Sequence, residues 1–327
     1  MKTFDQNLSN NRVLVIGNSY LTASVSINFA KAGFPVSVVS NTLMVKERIL
    51  IHLEDIKKTG KEECKPSIRY IQEISDKEPF FLAILTDNDT ETYHKDTINR
   101  IENNTNEDLI IGICTNYIPL SRFQHDAKYP GNILGMNWTE PAHTNFFLEL
   151  VANTKTHHSV VDFLEKFAIR YLGKDPYIIT GETGVRSKML AAMAREAFFL
   201  IEKGYAKVED IDRACRNDAG TYMPFAGNFR YMDVMGTYAY GVVMKKLNKE
   251  LSNATKLPDF FVEKLQKKKY GMKVKEGFYK YDKNDIRKWN QKTRKFSYEI
   301  KELMEKYPFE DWLEEVKESA KSSTVPR

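Results

Sequence analysis

Residues 12–39 read RVLVIGNSYLTASVSINFAKAGFPVSVV. The run Arg12 to Ile16 is apolar and rich in β-branched residues and closes on Gly17 and Asn18, the pattern of a buried strand entering a turn. From Leu21 to Ala32, the residues Ala23, Val25, Ile27, Phe29 and Ala30 predict a largely apolar helix that stops at Gly33. Val36 to Val39 predicts a second strand. Parallel neighbours need a crossover rather than a hairpin, so this order of elements is the βαβ unit of a parallel sheet.

Working outward, the same rhythm recurs. Further buried strands are expected at Phe80 to Leu85 and Leu109 to Ile113, with a polar helix between them, and shorter apolar runs lie at Ile133 to Met136, Phe146 to Ala152 and Tyr177 to Ile179. Val160 to Tyr171 carries apolar residues at helical spacing and is expected to cover the sheet. A Rossmann-like, doubly wound, mostly parallel sheet over residues 1–183 accounts for this α/β pattern. After Gly184 the pattern becomes all-helical. Lys188 to Glu202 is apolar nearly all round and reads as a long helix buried on most sides; Val208 to Cys215, Asp233 to Leu247 and Asp259 to Lys268 read as further helices. The expected divisions are thus 1–183, a helical domain 184–284 and an amphipathic helical tail 285–327, where Trp289, Phe296, Leu303, Phe309, Trp312 and Leu313 favour docking on the body or on another subunit.

Composition narrows the function. In 327 residues, 49 Lys and Arg against 44 Asp and Glu leave a formal charge of +5, too mild for a nucleic-acid-binding chain. The cluster Lys267, Lys268, Lys269, Lys273 and Lys275 reads as a solvated face. Cys64, Cys114 and Cys215 have no metal-ligand spacing and suit a reducing compartment. The opening MKTFDQNLSN lacks a signal-peptide core and no 18-residue apolar run exists, so a cytoplasmic chain with no membrane partner is expected.

The turn Gly17, Asn18, Ser19, Tyr20, Leu21, Thr22 keeps the first glycine of a dinucleotide-binding fingerprint and replaces the other two with Ser19 and Thr22. A helix N-terminus still offers its N–H groups to an anion, and the Ser19 hydroxyl is a further donor to phosphate. Where the second strand ends, Ser40, Asn41 and Thr42 stand in place of the usual ribose-binding carboxylate. Without that charge a 2′-phosphate is not repelled, and Lys46 or Arg48 lies one turn on. The cofactor expected at Gly17, Ser19, Thr22, Ser40 and Asn41 is therefore NAD or NADP.

Four segments in order resemble the 3-hydroxyacyl-CoA dehydrogenase family: the opening RVLVIGNSYLTASVSINFAKAGFPVSVVS, then GMNWTEPAHTNFFLELV, EKGYAKVEDIDRACRNDAGTYMPFAGNFRYMDVMG and KYGMKVKEGFYKY, across roughly residues 10 to 283. The resemblance implies hydride transfer between a 3-hydroxyl carbon and a nicotinamide, an acyl-CoA or acyl-carrier-protein thioester as partner, and a homodimer formed through the helical domain. It also implies a catalytic His and Glu twelve residues apart. The Glu falls on Glu149, but the His falls on Asn137, which cannot take a proton and whose amide can donate to a carbonyl oxygen. The family's next polar positions fall on Glu140 and Lys188, and its substrate-contacting Ser falls near Ile118.

Glu140, Glu149 and Lys188 are expected to form a charged constellation, with Lys188 as acid or base, and His143 is a second possible proton carrier on the same loop; a surface or turn histidine is the plainer reading of His143. No metal site is expected. The readings that follow are a diverged oxidoreductase of 3-hydroxyacyl or 3-oxoacyl thioesters, or a catalytically altered homologue, either a non-redox acyl-thioester enzyme or a binding subunit.

Overall fold

The computed structural model describes residues 12–59, 67–74, 80–87, 90–115 and 117–308. The chain alternates β1 (Arg12–Ile16), α1 (Tyr20–Lys31), β2 (Val36–Val39), α2 (Leu43–Thr59), β3 (Ile68–Tyr70), β4 (Phe80–Leu85), α3 (Glu91–Asn103), β5 (Ile110–Ile113), α4 (Leu120–Gln124), β6 (Ile133–Asn137), β7 (Phe147–Ala152), α5 (His158–Leu172) and β8 (Asp175–Thr180). The eight strands form one sheet in the order β3-β2-β1-β4-β5-β6-β7-β8. Every neighbouring pair is parallel except β6 and β7.

Alternation along the strands explains why both faces are covered. Val13 and Val15 of β1 point into one core with Phe29 of α1, Ile49 of α2 and Phe167 of α5; Leu14 and Ile16 point into the other with Ile98 and Ile101 of α3 and Phe123 of α4. β4 is buried along its whole length, as its unbroken run FFLAIL requires. The sequence reading does not include the five-residue α4, nor two further elements. α2 is too polar to show a clear apolar stripe from sequence, and β3 is only three residues long at the sheet edge.

The described residues divide into two compact units, one ending at Ser187 and the other beginning at Lys188. The second is all-helical: α6 (Val185–Glu202) runs into it, followed by α7 (Val208–Ala214), α8 (Gly220–Met235), α9 (Thr237–Leu247), α10 (Asp259–Gln266) and α11 (Lys283–Glu305).

Two expectations for this unit need correction. The helix expected over Asp233 to Leu247 is instead the end of α8 and all of α9, because Gly236 takes a left-handed backbone, φ +97°, that breaks the helix. α6, expected to be buried on most sides, has no buried residue. Two open clefts of about 660 and 770 Å³ flank Ala194 and Phe198 and keep this helix accessible.

α11 is held at its start by a capping box between Asp282 and Asp285, and Phe309, Trp312 and Leu313 of the expected tail lie outside the described residues, as does Cys64. Among the described residues no helix is long and apolar enough to cross a membrane, and no group of three His, Cys, Asp or Glu is arranged to hold a metal ion.

Candidate active site

Sheet register builds the centre of the site. Antiparallel pairing sets Asn137 of β6 opposite Glu149 of β7, and parallel pairing sets Glu149 beside Tyr177 of β8. Side chains opposed in register share a face, so the three form one row. Asn137 Nδ2 donates to Glu149 Oε1 at 2.8 Å, and the Tyr177 hydroxyl donates to Glu149 Oε2 at 3.1 Å. The backbone amides of Val185 and Arg186, in the first turn of α6, donate to the same Oε2 at 2.9 and 3.2 Å. Glu149, 1 % exposed, is thus a buried carboxylate with four donors at the positive end of a helix.

The other side of Asn137 is also engaged. The amide of Thr115, just past β5, donates to its Oδ1 at 2.9 Å, and the Thr115 hydroxyl lies 3.3 Å from both Oδ1 and Nδ2. Thr115 and Tyr177 were missed by sequence reading. Neither sits in a periodic pattern with Asn137, and only strand register brings them to it.

Burial and the charge of Glu149 raise the Tyr177 phenol above its ordinary range, so it acts here as a donor. Ile118 does not supply a site group; it packs partly buried on the second core, and the hydroxyl beside Asn137 is that of Thr115.

Glu140 and His143 do not join this row. Glu140 accepts from the hydroxyl of Ser24 on α1 and lies 3.5 Å from Arg48 Nη2 and 3.7 Å from His52 Nε2, both on α2. The expected constellation of Glu140 with Glu149 is therefore absent, because the segment after β6 packs onto α1 and turns Glu140 toward α2. His143 is not a surface residue: it is 5 % exposed, in a short 3-10 turn, with its ring 4.4 Å from that of His52. Lys188 is an exposed residue of α6 and begins the second unit.

Burial, the neighbouring His52 and the cations Lys31, Lys174 and Arg48 hold the His143 imidazole well below the usual histidine range. A histidine kept neutral in the fold binds fewer protons than in the unfolded chain. Its contribution is therefore complete above about pH 6.5 and is lost as pH falls below that value, by about 1.4 kcal/mol per unit until the folded group also titrates. Urea unfolding between pH 7.5 and 5 is expected to show this slope, and His143→Gln to reduce it by about one proton.

The turn after β1 holds the residues expected to cradle a dinucleotide. Gly17 has φ +156°, and a Cβ there would stand 2.3 Å from Thr86 Oγ1 and 2.6 Å from Thr22 Oγ1. Ser19 caps α1: its amide donates to Thr22 Oγ1 at 3.1 Å and its Oγ accepts from the Thr22 amide at 3.4 Å. Both hydroxyls are thus turned into the cap.

Asn18 donates its amide to Asp87 Oδ2 at 2.5 Å and accepts at Oδ1 from Ser40 Oγ and the Asn41 amide, at 3.0 and 2.8 Å. This ties the end of β2 to the turn. The arrangement fits a dinucleotide: a helix N-terminus facing the end of β1, and neutral hydroxyl and amide groups where the adenosine ribose would lie. Arg48 is not available for a 2′-phosphate, since it is buried, paired with Glu140 and stacked 4.6 Å over the Tyr20 ring. Gly17→Ala is expected to cost about 2 kcal/mol in urea unfolding, from the strained backbone and the collision with Thr86.

The model of the 3-hydroxyacyl-CoA dehydrogenase NAD binding domain matches residues 12–183, and that of the 3-hydroxyacyl-CoA dehydrogenase C-terminal domain matches residues 185–281. The chain is 29 % identical over 188 residues to a 5-formyl-3-hydroxy-2-methylpyridine 4-carboxylate 5-dehydrogenase of Mesorhizobium japonicum, covering 57 % of this chain and 60 % of that one, so the match spans about three fifths of that relative. It is 25 % identical over 285 residues to a 3-hydroxybutyryl-CoA dehydrogenase of Mycobacterium tuberculosis, covering 83 % and 98 %. A solved 5-formyl-3-hydroxy-2-methylpyridine 4-carboxylic acid 5-dehydrogenase, described as an NAD+ dependent dismutase, shares the fold with a TM-score of 0.83 at 23 % identity, over 90 % of this chain and 98 % of that one.

Proposed function

The chain belongs to the 3-hydroxyacyl-CoA dehydrogenase family, a superfamily of oxidoreductases with an NAD-binding domain, and we propose that it is an NAD-linked oxidoreductase of 3-oxoacyl or 3-hydroxyacyl thioesters in which an asparagine amide replaces the proton-carrying imidazole. The observation that carries this reading is the hydrogen-bonded row Asn137, Glu149 and Tyr177. Residues 1–183 are the dinucleotide half in this reading, with Gly17, Ser40, Asn41 and the start of α1 as its holders. The inward turn of Arg48 favours NAD over NADP.

When bound, the nicotinamide supplies or accepts the hydride. Glu149, clamped by the α6 amides and Tyr177, fixes the plane of the Asn137 amide. One Asn137 N–H stays on Glu149; the other, only 3.3 Å from Thr115 Oγ1, has the weaker contact and is the hydrogen offered to the substrate oxygen. The Thr115 hydroxyl is a second donor beside it. Neither the Asn137 amide nor the Tyr177 phenol, held above its ordinary range, gives up a proton here, so the proton that accompanies reduction comes from water.

Helical residues 184–284 form the homodimer in this reading, supported by the exposed apolar side chains Phe225, Phe229, Val234, Met235 and Tyr238 on α8 and α9. A second reading, a binding subunit without turnover, is favoured by one observation: every polar atom of the Asn137 side chain already has a partner within the chain.

Calorimetric titration with NADH and NADPH, followed by acetoacetyl-CoA reduction from pH 5.5 to 8, separates the two. The oxidoreductase reading expects NADH to bind at least tenfold tighter than NADPH, with slow turnover lacking an imidazole titration step. Binding without turnover leaves the second reading, and absence of binding to both nucleotides rejects the first.

A further inference from the structure

α11 begins at Lys283, beyond the last residue of the matched family domains. The helix contacts α8, and its inward face is marked by buried Ser297 with partly buried Asn290 and Met304 seven residues to either side. Beside that face runs a second line, Trp289, Thr293, Phe296, Ile300 and Leu303, apolar at every position but Thr293, at alternating spacings of four and three. This is the spacing of a helix-pairing seam, sustained over about two heptads and followed by Tyr307 in the same phase. It faces outward: Trp289 is 51 % exposed, Phe296 61 % and Leu303 47 %. Three large apolar side chains in register on one polar helix are costly to leave in water.

The charges flanking the seam choose its occupant. Asp285, Lys292, Glu299 and Lys306 follow one another at intervals of seven, alternating in sign on the side away from the inward face. Two such helices related by a two-fold axis and laid antiparallel set Asp285 against the partner's Lys306, and Lys292 against the partner's Glu299. Every pair across the seam is then of opposite sign. A parallel arrangement would instead set these charges against the partner's Asn290, Ser297 and Met304, which are neutral and turned inward.

Lys292 and Glu299 now make exchangeable surface contacts, Lys292 5.4 Å over the Trp289 ring and Glu299 3.6 Å from Lys295, while Asp285 also accepts from the Asp282 amide in the cap of α11. An anionic bilayer would meet Asp285 and Glu299 beside the apolar line, so alternation argues against a lipid surface. We propose that α11 is a second self-association surface, pairing antiparallel with α11 of another copy of this chain.

The test is the mass of the full-length chain by sedimentation and light scattering. Phe296→Glu/Leu303→Glu, at exposed positions that leave the far-UV helix signal unchanged, is expected to halve the mass, from four chains to two where the helical domain also pairs and from two to one where it does not. Lys292→Glu is expected to weaken the association about tenfold by opposing like charges twice across the axis. Adding Glu299→Lys restores it, because the inverted pattern is again self-complementary. A monomeric wild type, an unchanged mass in Phe296→Glu/Leu303→Glu, or failure of the charge swap to restore pairing overturns the proposal. So does Phe296-dependent sedimentation with phosphatidylserine vesicles at constant mass.

Discussion

Asn137→His is expected to raise the rate of acetoacetyl-CoA reduction by about 100-fold or more, the span that a positioned general acid or base contributes. The rest of the apparatus is already in place. Glu149 Oε1 lies 2.8 Å from Asn137 Nδ2, so an imidazole N–H set there finds the same carboxylate to orient it and steady its charge. The second ring nitrogen then exchanges the proton that the wild-type chain must take from water.

The substitution also removes the acceptor of the Thr115 amide, which costs about 1–3 kcal/mol for a buried donor left unmatched. Rate and stability are thus expected to move in opposite directions, which no general loosening of the site would produce. The new rate is expected to fall on either side of a titration near neutral pH, where the wild type is flat. A folded Asn137→His chain that binds NADH and turns over no faster would show that the Asn137 row is not where the carbonyl reacts.

Gly184→Ala is the second large effect. A Cβ at the buried Gly184 would stand 1.7 Å from Glu149 Oε1 and 2.9 Å from Asn137 Nδ2. The carboxylate cannot swing aside at low cost, because Asn137, Tyr177 and the Val185 and Arg186 amides hold it from four directions. Displacing it leaves charge-assisted hydrogen bonds unmade, and we expect a loss of about 3 kcal/mol in urea unfolding. Turnover is expected to fall below detection, since the Asn137 amide loses its orienting partner.

Glu149→Gln supplies the comparison. It keeps the volume and removes the charge, so it is expected to share the loss of turnover with a smaller loss of stability. Gly184→Ala matching the wild type in both measurements would mean that the α6 start does not crowd the carboxylate, and the clamp would have to be abandoned.

The opening segment determined the βαβ unit by local means alone. Arg12 to Ile16 is apolar on both faces, Gly17 permits the turn, and Ala23 to Ala30 can only be covered by packing on a sheet. The pairing of Asn137 with Glu149, twelve residues on, is what the family resemblance implied, and the sheet register does set the two opposite each other. What the sequence could not state is who touches whom across the sheet. Asn137 ends β6, Thr115 follows β5, and Glu149 and Tyr177 lie within β7 and β8; their row exists because β6 and β7 run antiparallel while β7 and β8 run parallel.

The same holds for Glu140 and His143, three and six residues from Asn137 in the chain, which the fold hands to Arg48 and His52 of α2 instead. Residue type and periodicity are properties of a segment, whereas the partner of a buried polar group is set by register and packing between segments. The residue types at positions 137 and 149 were therefore written in the chain, and the four-donor clamp around Glu149 was decided only when the strands and the start of α6 came together.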